Sequence, residues 1–337
     1  MTSSGTSRKS LDLKLERIHA GKYTTKDFIL ADAKDADMAF GVMAPATRLG
    51  HTLGEVGPGI YKTRQDYLND MKVLLEQGAL DIMLTSASNG EQLARKPAKF
   101  KKITLAVRGN DASDIWNQRG SNYLSPRSRP FQTVNLKKVK DFSDLVLYSV
   151  TFNNDLESDL ITLEAYKKFR IEAAELGVRH FLEVFNPNAP VEVKPADFGA
   201  FVNDHIIRTL AGVTESERPT FLKVAYNGVN ALKELAESDS SLVVGILGGS
   251  TGTTRDTFEL LHRAESAGAR VALFGRKIQR AESQVNIVKL MRPVLEAKLT
   301  PTEAVSEYHK SLGELGITPF RTLSEDSKIT DPVLSAE

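Results

Sequence analysis

The chain contains no cysteine. That absence excludes disulfide scaffolds, thiolate zinc sites and cysteine nucleophiles together. An excess of charge is also missing: 44 basic residues against 43 acidic ones leave a net charge of +1, with the two signs interspersed. There is no basic tail or stripe, so no nucleic-acid partner is expected. The nearest approach to a basic patch, residues 95–102 followed by Lys137, Lys138 and Lys140, reads as solvated helix faces. No run of about 18 apolar residues occurs, and the first ten residues are rich in Ser and Thr without an apolar signal segment. A cytoplasmic protein with no membrane partner is the expectation.

What is present is an ordinary globular composition, 41% hydrophobic and 26% charged over 337 residues, enough to bury a large core. Short β-rich runs recur at Phe28–Asp32, Leu80–Thr85, Ile103–Val107, Leu145–Thr151, His180–Phe185, Thr220–Ala225, Leu242–Leu247 and Arg270–Phe274. Helix-period stretches lie between them, and three of these end at Gly78, Gly177 and Gly268, where a left-handed cap is expected. Strands apolar on both faces that alternate with helices call for a parallel sheet with right-handed crossovers. Eight such units predict an α/β protein, a single (β/α)8 barrel. A doubly wound sheet would place a glycine-rich phosphate loop after its first strand, and Phe28–Phe40 has no such loop. The predicted organisation is an N-terminal extension over 1–20, the barrel over 21–300, and an extra helix with a flexible tail over 301–337. Long loops at 41–62 and 108–129 follow the first and third strands, on the face where barrels build their sites, and suggest lids or subunit contacts in a homo-oligomer.

Functional groups at the C-terminal strand ends converge on one pocket in such a barrel. The first strand offers Asp32 and Lys34, the fourth Tyr148, Ser149 and Thr151, the fifth Glu183 and the sixth Lys223. A lysine on an apolar strand has a bland reading, with its stem buried and its head in water. Its chemical reading is a neutral amine that attacks a carbonyl to form a Schiff base, with nearby carboxylates moving protons. An isolated Asp32 or Glu183 would read as half of an ion pair, but two carboxylates and two lysines at strand ends favour the chemical reading. The seventh strand runs into Gly248-Gly249-Ser250-Thr251-Gly252, and the eighth into Gly275-Arg276. Accessible backbone N–H groups, a helix N-terminus and a guanidinium would together grip a phosphate there. Of the six histidines no two have ligand spacing, and only His51 falls on the site face. No metal and no cofactor is expected.

At these positions the sequence resembles the class I (Schiff-base) aldolases of (β/α)8 fold, the group of archaeal-type fructose-bisphosphate, tagatose-bisphosphate and deoxyribose-phosphate aldolases. The likeness spans about Phe28 to Lys289. Leu222-Lys223-Val224-Ala225-Tyr226 is similar to the segment carrying the Schiff-base lysine, and Phe181-Leu182-Glu183-Val184 to one carrying an active-site glutamate. Gly248-Gly249-Ser250 and Gly275-Arg276 resemble the two-strand phosphate site, and Ala31-Asp32-Ala33-Lys34 the first-strand segment with an active-site aspartate. One departure is plain: the archaeal-type enzymes carry a catalytic tyrosine near the end of the fourth strand, whereas Tyr148 stands about a turn of strand early. The resemblance implies a carbon-carbon lyase acting through Lys223 on a phosphorylated ketose or related oxo-compound. An acyl or aldol transferase of thiolase-like or transaldolase-like kind, or a non-catalytic sugar-phosphate-binding barrel, would share the same sequence features.

Overall fold

The computed structural model describes residues 8–48, 55–95, 101–189, 191–250 and 252–337. His51, Thr251, residues 96–100 of the basic stretch and the first seven residues lie outside them. Among the described residues ten strands form in chain order: β1 (Ile29–Lys34), β2 (Ile82–Thr85), β3 (Thr104–Arg108), β4 (Asn110–Ala112), β5 (Pro130–Gln132), β6 (Leu145–Thr151), β7 (Arg179–Phe185), β8 (Leu222–Val224), β9 (Gly245–Leu247) and β10 (Val271–Phe274). Eight of them close into a parallel barrel in the order β1-β10-β9-β8-β7-β6-β3-β2. These are the eight runs expected from the sequence. The other two pair antiparallel, as a small ribbon within the long connection after the third barrel strand.

The two-residue strand period divides the core in two. Ile29, Ala31, Ala33, Leu145, Leu147, Phe181, Phe221, Val271 and Leu273 fill the barrel interior. Leu30, Val146, Tyr148, Leu182, Leu222 and Val224, in the opposite phase, pack under the surrounding helices. Local chemistry starts and stops those helices. Thr63 caps Arg64–Gln77 and Thr253 caps Thr254–Ser266, each by accepting a backbone N–H and each in a reciprocal pair with an aspartate three residues on. Gly78, Gly177 and Gly268 all take positive φ at the expected stops.

The segment set apart at the N-terminus is part of the barrel floor. Its helix Ser10–His19 buries Leu11 and Leu15 against the interior residues. Below it, the Asp81 carboxylate, 2% exposed, accepts from the Leu30 backbone at 2.8 Å, Lys14 at 2.7 Å and Arg292 at 2.6 Å. Helix Pro301–Glu314 follows as expected. The tail does not match the flexible segment anticipated from its polarity. Asp326 accepts from the Thr254 backbone N–H at 2.8 Å, and the Thr330 N–H and hydroxyl donate to Asp256 at 2.8 and 2.6 Å, so its polar side chains are spent on docking. Among the described residues no helix is long and apolar enough to cross a membrane.

Asp81 joins strand, floor helix and outer helix through one carboxylate. Asp81→Ala, which strands two half-buried cations and a buried N–H, is expected to lower unfolding free energy by about 3 kcal/mol. Urea denaturation would measure it, and a loss under about 1 kcal/mol would show that the floor stands without this junction.

Candidate active site

Strand register assembles the centre of the site. Ser149 on β6 lies beside Glu183 on β7, and Glu183 beside Lys223 on β8. Neighbours in parallel register share a pleat phase, so all three side chains enter the barrel in one row. Lys223 Nζ stands 2.6 Å from Glu183 Oε1, with the two residues 6% and 2% exposed. Ser149 Oγ donates to Glu183 Oε2 at 2.6 Å. Arg108, at the end of β3, reaches across the interior: Nη1 lies 2.7 Å from Asp35 and 3.3 Å from Glu183, and Nη2 donates to Ser149 Oγ at 2.8 Å. Burial opposes the Arg108 charge, but Asp35 and then Glu183 outweigh it and hold the guanidinium above its ordinary pKa. Asn110 fixes the strand beneath, accepting from the Ser149 N–H at 2.7 Å and donating to its carbonyl at 2.9 Å.

Lys223, Glu183, Arg108 and Asp35 line a cavity of about 420 Å3, whose lining also includes Asp114 and Asn117 from the ribbon connection and Phe40 from the segment after β1. The lining continues with Gly248, Gly249, Gly275 and Arg276, from the exits of β9 and β10. Gly249 has φ +63°, and a Cβ at Gly275 would sit 2.9 Å from the Ala33 carbonyl oxygen, so both places demand glycine. Arg276 forms no ion pair among the described residues. Its guanidinium stands beside the two glycine turns in the cavity lining. The helix N-terminus expected to help is already occupied: Thr253 N–H donates to Asp256 at 2.9 Å and Thr254 N–H to Asp326 at 2.8 Å. Ser250 is exposed and outside the cavity lining.

Three residues predicted to be catalytic are also not in the cavity. Asp32 and Lys34 do share a face, but it is the one turned to the helices, because Ala31 and Ala33 occupy the inward phase. There they form a fully buried ion pair at 3.3 Å, with Lys34 Nζ also donating to Gln284 at 2.8 Å and to Gln279. Burial pushes the Asp32 carboxyl up to about 6, against the pull of Lys34. Tyr148 also faces outward, stacked at 4.4 Å on Phe169 and 5.4 Å on Tyr166, and burial makes its phenol harder to ionise. The inward groups that sequence reading passed over are Asp35, Arg108 and Asp114. Arg108 stood one residue beyond the expected end of its strand. Asp35 carries the inward phase of β1 just past the strand, and Asp114 lay within a connection whose ribbon gives no period to read.

Lys34→Met leaves Asp32 buried without its cation and is expected to cost about 3–5 kcal/mol of stability, while Asp32→Asn with Lys34→Met recovers most of it. Both variants should keep whatever chemistry Lys223 performs when they are assayed folded. Loss of that chemistry in the double variant alone would restore Asp32 and Lys34 to the site.

No protein-family model and no curated protein matches the chain. Among solved structures, an archaeal fructose 1,6-bisphosphate aldolase aligns at TM-score 0.60 and 12% identity, over 85% of this chain and 99% of that one. A second archaeal fructose-1,6-bisphosphate aldolase, with its catalytic lysine covalently bound to the carbinolamine intermediate, aligns at 0.60 and 14%, over 85% and 99%. The fructose-bisphosphate aldolase from Slackia heliotrinireducens aligns at 0.61 and 16%, over 90% of each chain. At such identities the likeness is one of fold: this chain is a (β/α)8 barrel built like those of the Schiff-base fructose-bisphosphate aldolases.

Proposed function

We propose that the protein is a class I aldolase that forms a Schiff base between Lys223 and a phosphorylated ketose or related oxo-compound, then cleaves or makes a carbon-carbon bond. One observation carries this reading: a buried lysine stands 2.6 Å from a buried carboxylate in a cavity that two glycine turns and Arg276 also line. The lysine nitrogen must shed a proton before it attacks, and Glu183 Oε1 is within hydrogen-bond reach to accept it. The nitrogen then adds to the carbonyl carbon. The resulting hydroxyl leaves as water once protonated, and the Glu183 carboxyl is the nearest donor to that nitrogen. Ser149 and Arg108 hold Glu183 in the one rotamer that faces Lys223.

Arg276 and the glycine turns supply positioning. Phosphate held by Arg276 and the amides around Gly248, Gly249 and Gly275 would fix the carbonyl against Lys223, and such positioning is worth several kcal/mol of the barrier. Carboxylates and a guanidinium at different strands also set the direction in which a substrate with one charged end enters.

Borohydride reduction in the presence of phosphorylated ketones and ketoses, followed by peptide mass mapping, should give a stable adduct on Lys223 and none in Lys223→Met. A folded protein with no adduct from any of these compounds would refute the reading. Arg276→Ala should raise KM on the order of 10–100-fold for phosphorylated substrates and leave unphosphorylated analogues nearly unchanged. Equal losses on both substrate types would remove the phosphate role.

A further inference from the structure

Three carboxylates line the cavity, Asp35, Asp114 and Glu183, and their partners differ in kind. Glu183 has Lys223 on one oxygen, with Ser149 and Arg108 on the other. Asp35 is held by Arg108 at 2.7 Å. Each of these two carboxylates is thus paired with a buried cation. Among the described residues Asp114 has neutral partners only. Its Oδ1 accepts from Ser128 Oγ at 2.6 Å and its Oδ2 from Thr151 Oγ1 at 2.7 Å.

A hydroxyl both donates and accepts, and its hydrogen rotates, so Ser128 and Thr151 can serve Asp114 as carboxylate or as acid. Thr151 also fixes where the group sits. It ends β6 two residues above Ser149, in the same inward phase, and so brings Asp114 over the open side of the Ser149–Glu183–Lys223 row. The ribbon connection therefore supplies the cavity with a carboxylate able to change protonation state without breaking a buried ion pair.

We propose that Asp114 is the base that moves the proton on carbon, an inference that rests on the Schiff-base reading of Lys223. Once Lys223 Nζ has joined the carbonyl carbon and water has left, the iminium acidifies the neighbouring C–H. Asp114 takes that proton, the C–H electron pair becomes the C=C bond of an enamine, and the C=N π pair returns to nitrogen. The reverse step gives the proton back. Glu183 thus serves the protons on nitrogen and oxygen, and Asp114 the one on carbon.

Dihydroxyacetone phosphate is the probe, with two readouts on the full chain: borohydride-trapped adduct at Lys223, and exchange of the probe's C–H hydrogens with D2O followed by proton NMR. Asp114→Asn should keep the adduct within about twofold while exchange falls on the order of 100-fold. The retained adduct itself certifies a folded site. Exchange at the wild-type rate in Asp114→Asn would overturn the proposal, as would adduct and exchange falling by the same factor, which a merely structural residue would produce. A wild-type chain that traps no adduct removes the Schiff-base reading and this inference with it, whereas a normal adduct with undiminished exchange removes this inference alone.

Discussion

The upper half of the barrel depends on keeping Lys223 buried next to Glu183. A single ion in such a place costs several kcal/mol, and a lone pair repays that only when its remaining hydrogen-bonding capacity is also met. Here Lys223 and Arg108 face Glu183 and Asp35, so two cations meet two anions and no charge is left over. The cluster spans four of the barrel's strands or their exits, and any one of its members loses its partner if its strand slips register by a single residue. On the proposed chemistry the balance also survives reaction, because a protonated Schiff base carries the same positive charge as the ammonium it replaces.

The same closed sheet gives the cavity its two characters. Charged lining groups come from β7 and β8, from the end of β3 and from the exit of β1, while β9 and β10 run into glycine turns beside Arg276. Closure brings β10 beside β1 and keeps β9 beside β8, so the glycine turns and Arg276 lie between the Asp35 and Lys223 ends of the strand order around the mouth. Because the first amides of helix Thr254–Ser266 are committed to Asp256 and Asp326, an anion in the cavity would depend on loop amides and on Arg276.

The fold was legible because its signal repeats. Eight apolar runs separated by helices leave few topologies, and all eight became barrel strands. Lys223 could be read because it is the one polar group on its short strand, and Glu183 because apolar residues flank it on both sides near the strand's C-terminal end. β1 could not be read in the same way. In Ile-Leu-Ala-Asp-Ala-Lys-Asp both phases end in charge, and a strand buried on both faces carries no alternation to say which phase is inward. Asp32 and Lys34 are correctly paired but on the outer face, and Tyr148 fails the same test on β6. Arg108 and Asp114 depend on contacts with strands and loops distant in sequence, to which no local pattern points. The tail's polarity suggested solvent because the carboxylate and backbone groups it meets lie about seventy positions earlier.

That docked tail puts the molecule's completion on a clock set by synthesis. Thr254 receives its cap from Asp326, 72 residues later in the chain, and Asp256 its partner Thr330 at a separation of 74. At about 5–20 residues per second, Thr254 exists for roughly 4–14 s before Asp326 is made. During that interval the helix behind the glycine loop has an open N-terminus and an acidic first turn lacking its later donors. The strands made before it can therefore pair while the start of this helix still waits for Asp326 and Thr330.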